Sequence, residues 1–413
     1  MKKFLPTLYG DRYIWTILLL LALFSFVPVY SASTNLVYTI GTGKSTFSYL
    51  LKHFTFLSIG FGVMWFIHTR DYRYFRAVSI FGMPIIIILL LVTLLKGQTI
   101  NGANASRWLN LGFVQFQPSA LAAIILIMYV AQYLVSLKDK VVEFWPSVLE
   151  LWVPVMIVVG LILPANFSTA GLIFFMAALL VFVGPYPKKY LGVILLAGIL
   201  MLGLFVLAAK AFPGAMPNRV DTWISRIDRF AGPDDGTKDL YQVDNAKIAI
   251  ASGGLLGVGP GKSIQKNFLP QSSSDFIYAI IVEELGLVAG LTILGLYLWL
   301  FYRFLIASHK APTMFGKLLV IGLGFYIIFQ ALINMGVAVS FLPTTGQTLP
   351  LISSGGTSSI MLCFAFGIIL SVTKKEQEVK AQEEERKERD KAIQKELERL
   401  DIERQELEKR ELI

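Results

Sequence analysis

Hydrophobic and polar positions in this chain fall into long blocks, with little of the alternation expected of strands in a soluble sheet. Ten apolar runs stand out, at about 13–32, 49–68, 75–95, 117–136, 147–164, 168–185, 190–211, 276–303, 315–339 and 357–373. Each approaches the roughly twenty residues a helix needs to cross a bilayer. Backbone polar groups in lipid must be satisfied inside the segment, so the pattern predicts an all-α, polytopic membrane bundle of about ten transmembrane helices. A long polar loop, 212–274, separates the seventh helix from the eighth. At Lys374 the composition changes abruptly to KKEQEVKAQEEERKERDKAIQ, dividing the chain into a membrane domain, 1–373, and a charged tail, 374–413. In the tail, Glu383 with Lys387 and Glu385 with Arg389 are i,i+4 pairs that support a solvated helix. Ile393, Leu397, Leu400 and Leu407 form a partial heptad seam, broken by Arg404 and Glu411, which leaves a short coiled coil as the alternative.

Composition agrees with the pattern. The chain has 413 residues, 55% of them hydrophobic and 16% charged, with a mean hydropathy of +0.63, too apolar for an ordinary soluble domain. A net charge of +9 would suggest nucleic acid in a soluble protein, but its placement gives it another meaning. Lys2, Lys3 and Arg12, then Arg70, Arg73 and Arg76, Lys138 and Lys140, Lys188 and Lys189, Arg303, Lys310 and Lys317, and Lys374 and Lys375 all fall on one side of the ten spans. The positive-inside rule makes that side cytoplasmic, with both termini inside and the 212–274 loop outside. No nucleic-acid partner is expected.

Topology also decides the most conspicuous motif. GVGPGKS, 257–263, resembles a phosphate-binding loop, yet G-x-x-x-x-G-K-[ST] requires glycine where Leu256 stands. GTGKST, 41–46, has Tyr38 at the same place. Both lie on the extracytoplasmic side, where nucleotide is not available, so no nucleotide cofactor is expected. Cys363 is the only cysteine, which rules out a disulfide framework. His53, His68 and His309 show no metal-ligand spacing.

Polar and glycine-rich residues gather in three extracytoplasmic stretches: 101–120, 253–286 and 340–360. Asp275, at the start of the eighth span, is either a helix cap, a role Ser274 fills equally well, or a carboxylate able to act as a general base. Glu283 and Glu284 follow roughly 12–14 Å along the same helix at 1.5 Å per residue. They are either a buried packing pair or groups facing a cavity. Gln330 and Asn334, one turn apart, read as interhelical hydrogen-bond donors and acceptors. Arg107 and Trp108 form an interfacial anchor or a substrate contact. Lys262 and Lys266, read as cations on the outer surface, meet lipid headgroups or clamp a particular phosphate. The glycines preceding them suit close backbone approach to a ligand, or only a flexible loop.

RWLNLG with FQPS (107–119), YQ (241–242), GGLLGVGPGKS (253–263), LPQSSSDFIYAIIVEELG (269–286) and LPTTGQTLPLISSGGTSS (342–359) resemble, in this order, the signatures of the SEDS family. These are polytopic peptidoglycan polymerases, and RW with PANFSTA (164–170) looks more like the FtsW branch than the RodA branch. Ala120, Ala165, Asn166, Ser168, Gln271 and Ser273 depart from the family pattern. The resemblance implies transfer of glycan from undecaprenyl-pyrophosphate-linked lipid II to the 4-hydroxyl of an acceptor sugar. Asp275 falls on the family's essential aspartate, which implies a general base, and Trp108 on a residue that positions substrate. Arg107, Lys262 or Lys266 would stabilise the departing pyrophosphate, with a divalent cation, magnesium or manganese, as a possible assistant. Gln117, Ser119, Thr344, Ser353, Gly355 and Gly356 belong to the matching motifs and are expected to line the substrate site. Implied partners are a class B penicillin-binding protein, other division-complex proteins and membrane lipids; the implied location is the bacterial cytoplasmic membrane. A lipid II flippase or transporter, and a non-catalytic division scaffold, are the competing readings.

Overall fold

A computed structural model describes residues 8–40, 45–97, 107–110, 112, 115–211, 238–269 and 272–411. Part of the predicted 212–274 loop, Gln271, and the 101–106 end of the first polar stretch lie outside the described residues. The elements are α1 (Arg12–Ile40), α2 (Thr46–His68), α3 (Phe75–Lys96), a two-stranded hairpin of β1 (Leu109–Asn110) and β2 (Gln115–Phe116), α4 (Pro118–Ser136), α5 (Phe144–Ile162), α6 (Phe167–Val183), α7 (Lys188–Ala211), α8 (Lys238–Gly253), α9 (Ile277–Lys310), α10 (Met314–Ala338) and α11 (Thr357–Glu411). Eight of these helices are long and apolar enough to cross a membrane. The shorter α6, at 17 residues, and the 24-residue α7 complete the ten predicted hydrophobic helices. The chain is therefore an integral membrane protein. Its sheet is a local hairpin pairing Leu109 with Phe116.

Local chemistry sets the helix ends. Ser45 accepts from the Ser48 amide before α2, Asn166 from Thr169 before α6 and Thr313 from Gly316 before α10, each satisfying an orphan donor of the first turn. Within α5, a π-helical turn at Val148–Trp152 precedes Pro154, a common way to accommodate an irregularity inside a helix. α2 packs most extensively on α11. At that contact Cys363 lies against Gly60, and Gly367 faces Ile67 and Met64, the small-residue packing typical of membrane helices.

The basic connections meet at one end of the bundle. There Arg303 donates to Asp11 through Nε, at 3.0 Å, and through Nη2. Lys374 Nζ reaches the carbonyl of Thr69, and Tyr72 pairs with Thr313. α11 runs on without a break across Lys374, so the compositional boundary falls inside a single helix of 55 residues.

At the other end α9 is broken. Gly286 has φ 81° and ψ 173°, leaving a short segment, 277–285, and a long one, 287–310. A broken helix in lipid exposes carbonyls and amides that need partners. The turn after α8 inserts into the gap and supplies them. The amides of Val258 and Gly259 donate to the carbonyls of Glu283 and Glu284, both at 2.9 Å, and the amides of Leu287 and Val288 donate back to Gly254 and Leu255 at 2.9 and 3.3 Å. Two glycines make this approach possible. A Cβ on Gly257 would stand 2.3 Å from the Glu284 oxygen, and one on Gly286 would stand 2.2 Å from the Leu255 oxygen. Gly253, where a Cβ would stand 2.0 Å from the Val282 oxygen, and Gly257 are thus committed to backbone-on-backbone packing, which accounts for those two glycines without a phosphate.

Candidate active site

The three polar stretches predicted from sequence converge opposite the basic end. The hairpin brings Arg107 to the head of α4, and the Arg107 Nε donates to the carbonyl of Ala165 at 2.8 Å, tying the first stretch to the start of α6. Segment 340–356 turns back into the bundle between α10 and α11. Leu349, Leu351 and Ile352 are buried, and the Tyr297 hydroxyl donates to the Pro350 carbonyl. Irregular backbone at such a place is tolerated because protein surrounds it.

Asp275, half-buried, lies in the turn leading into α9. The capping position of α9 is Phe276, with no side-chain cap, so neither Asp275 nor Ser274 occupies the cap that the sequence offered. Asp275 is held by its backbone instead. The Asn334 amide donates to the carbonyl of Asp275 at 2.8 Å and to that of Gln347 at 2.7 Å. Ser353 donates to the Ser274 carbonyl at 2.6 Å, and the Ser354 amide donates to Ser273 at 2.9 Å. Gln347 continues the network to Thr169 at 2.7 Å, and Gln330 donates to Thr348 at 3.1 Å. α10 and the 340–356 segment therefore hold the main chain at and just before the aspartate, and its carboxylate stands near Gly346. That glycine has φ +68°, and the point where its Cβ would stand is 3.4 Å from both Arg107 Nη1 and Asp275 Oδ2. The guanidinium and the carboxylate oxygen thus lie within about 7 Å of each other (twice 3.4) across one glycine.

Beneath them is a cavity of about 50 Å³ lined by Gln117, Ser119, Thr169, Tyr326, Gln330 and Gln347 among others. It holds a few water-sized groups, so a sugar must sit above it. A narrower cleft shares Ser119 with it and runs from Arg107 between the apolar Leu90, Leu94, Leu161 and Ile162. Trp108 and Thr344 are half-buried in the first and third stretches. Gly355 packs on Ser358 and Ser359, and Gly356, with φ +54°, turns the chain into α11.

The remaining candidates gather elsewhere. Glu283 and Glu284 are 2% and 1% exposed and hold the inserted turn. Glu283 accepts from the amides of Ile264 (2.9 Å) and Gln265 (3.2 Å) and from the Ser263 hydroxyl. Lys266 is buried with them, donating to Ser31 at 3.0 Å and to the Gly261 carbonyl at 2.7 Å. It does not lie on the outer surface, as its position in a polar loop had suggested. Lys262 does remain exposed, its methylenes folded over Gly259.

Sequence reasoning passed over Gly346, Gln347 and Thr169. Their signal was a glycine next to an amide inside the otherwise apolar LPTTGQTLPL, and a threonine one residue after the Ser168 departure. Among the described residues no group of three or more His, Cys, Asp or Glu side chains comes together. A divalent cation here would draw most of its ligands from substrate phosphate and water, as magnesium commonly does.

Fold and site together define a polytopic membrane protein whose polar centre is assembled from three non-contiguous loops at one end of the bundle. The profile of the FtsW/RodA/SpoVE family, described as cell cycle proteins, matches residues 11–378, and the chain belongs to that family. It is 33% identical over 339 residues to a probable peptidoglycan glycosyltransferase FtsW of Xanthomonas oryzae pv. oryzae, covering 80% of this chain and 67% of that one. A probable peptidoglycan glycosyltransferase FtsW of Geobacter sulfurreducens is 33% identical over 376 residues, covering 88% and 96%. Among solved structures, a chain of a peptidoglycan synthase complex that coordinates polymerization and crosslinking shares the fold, with a TM-score of 0.68 at 24% identity over 89% of this chain and 98% of that one. The rod shape determining protein RodA of Thermus thermophilus does so with a TM-score of 0.62 at 25% identity, covering 89% and 97%.

Proposed function

We propose that this chain is a peptidoglycan glycosyltransferase that polymerises lipid II at the outer face of the bacterial cytoplasmic membrane during septal wall synthesis. The observation that carries the proposal is the meeting of Asp275 and Arg107 across Gly346, at a site built from the family's three signature stretches. Asp275 takes the proton of the acceptor 4-hydroxyl as that oxygen attacks the anomeric carbon of the donor sugar. The bond from that carbon to the pyrophosphate oxygen breaks, and the lipid pyrophosphate departs with the electron pair. Arg107, a guanidinium suited to phosphate oxygens, stabilises the charge developing there. Proton removal of this kind contributes roughly a hundredfold or more. Gln117 and Ser119, which line the cavity, and Trp108, next to Arg107 in the chain, position the sugars; exposed Lys262 attracts anionic headgroups. A magnesium or manganese ion, held mainly by substrate phosphate and water, would add charge neutralisation at the leaving group.

The synthase complex among the structural neighbours supports a class B penicillin-binding protein as partner. The clustering of basic connections at the end opposite the site supports cytoplasmic termini. The test is glycan synthesis from labelled lipid II by the purified chain with its transpeptidase partner, resolved by chain length. Ladders that disappear in Asp275→Ala are expected. Ladders unaffected by that substitution would remove Asp275 from the chemistry, and lipid II translocation without polymer would replace the enzyme with a transporter.

A further inference from the structure

Between Asp275 and the break at Gly286, the first segment of α9 covers residues 277–285. Isolated helices shorter than about 12–15 residues do not sustain themselves, so contacts at its two ends impose its position. Asn334 and Ser353 hold the end at Asp275. Glu283 and Glu284 hold the other, roughly 12–14 Å along the rod. In between, Ile277, Ala279, Ile280, Ile281 and Val282 are at most 1% exposed, so the segment is close-packed along its length and transmits a displacement at one end to the other.

Charge at the far end is balanced through a relay. Lys266 donates to Ser31 at 3.0 Å, and Ser31 donates to Glu284 Oε1, which also accepts the Ser263 amide at 3.3 Å. Glu284 Oε2 is buried without a hydrogen-bond partner. Glu283 has its three donors, so the relay from Lys266 is what offsets the second of two adjacent buried carboxylates. A buried charge that loses its partner forces rearrangement of what holds it. Here that is the rod ending at Asp275.

We propose that Lys266, acting through Ser31 and Glu284, is a positioning residue for Asp275, coupling α1 and the extracytoplasmic turn to the reacting carboxylate. The proposal rests on Asp275 being the general base. Lys266 touches no substrate; it fixes where the carboxylate stands.

The experiment measures kcat and KM for lipid II polymerisation by the full chain with its partner, in wild type, Lys266→Arg, Lys266→Met, Glu284→Gln and Lys266→Met/Glu284→Gln. Lys266→Met is expected to lower kcat by roughly ten- to a hundredfold, the scale for a reacting group displaced by up to about 1 Å, with KM little changed. Lys266→Arg, which keeps the charge, retains most of kcat. The double variant, which removes the uncompensated carboxylate, recovers kcat to within about threefold of wild type, a coupling between contacting residues. If Lys266→Met does not accumulate as folded protein, the double variant carries the test, since it has no unpaired charge. A raised KM in Lys266→Met, persisting in the double variant, would make Lys266 a substrate contact and overturn the proposal. Unchanged kcat in Lys266→Met would overturn it too. Loss of polymerisation in Asp275→Ala alongside that result would leave the proposed function standing, and persistence in Asp275→Ala would fail the function first.

Discussion

Replacing Gly257 by alanine tests whether the glycine-rich turn serves the helix break or a phosphate. Gly257 has φ +81°, a conformation that costs other residues about 1–2 kcal/mol. Its Cβ would stand 2.3 Å from the Glu284 carbonyl oxygen, so the turn must withdraw. Withdrawal breaks the bonds from Val258 to Glu283 and from Gly259 to Glu284, each worth about 1 kcal/mol net. The expected loss is therefore about 3–4 kcal/mol. Gly254 provides the control in the same turn. It has φ +52° and nothing within 4 Å of where a Cβ would go, so Gly254→Ala should cost only about 1 kcal/mol. Thermal unfolding of the purified protein in detergent, with lipid II KM measured on the folded fraction, reads both effects. Equal stabilities for the two variants, with KM raised in Gly257→Ala alone, would refute the break and restore a phosphate cradle.

Other substitutions probe the remaining supports. Asn334→Asp removes the donor shared by the Asp275 and Gln347 carbonyls and sets a carboxylate against both; kcat should fall by about tenfold or more, while wild-type kcat would show that Asp275 is held by other means. Asp11→Asn breaks the pair with Arg303, which is 19% exposed. A cost of about 2–3 kcal/mol, reduced from the fully buried case, should appear in thermal unfolding without change in activity per folded molecule. Gly60→Ala would place a Cβ 2.8 Å from Cys363 Sγ and cost about 1–2 kcal/mol; Cys363→Ala should relieve most of that in a double-mutant cycle, and additive costs would contradict the packing.

Much of the fold was legible because lipid imposes a simple rule on the chain. Where backbone groups find no water, apolar runs become helices, and each of the ten runs reappears as a helix, although the first, eighth and tenth continue past their expected ends to Ile40, Lys310 and Glu411. The same rule did not reveal the break at Gly286, because VEELGLVAG reads as continuous apolar helix and the turn that fills the gap lies some thirty residues earlier. Close backbone approach needs glycine whether the neighbour is a phosphate or a carbonyl, which is why GVGPGKS imitates a ligand loop. Lys266 looked exposed because its partner, Ser31, is 235 positions away; only tertiary packing makes the two neighbours. For the site, topology brought Arg107 and Asp275 to one face, and the motifs carried Gln117, Ser119 and Ser353. Gly346 and Gln347 were missed because their roles, a close approach and a hydrogen-bond relay, depend on what stands opposite them.

The central claim is that Asp275 acts as the base on the acceptor hydroxyl, and Asp275→Asn tests it most directly. The substitution keeps shape and backbone contacts while removing basicity. Single-turnover polymerisation and equilibrium binding of lipid II by the full chain with its partner should show the rate falling about a hundredfold or more, with affinity within about threefold of wild type. An asparagine variant that binds lipid II and polymerises it at the wild-type rate would contradict the account.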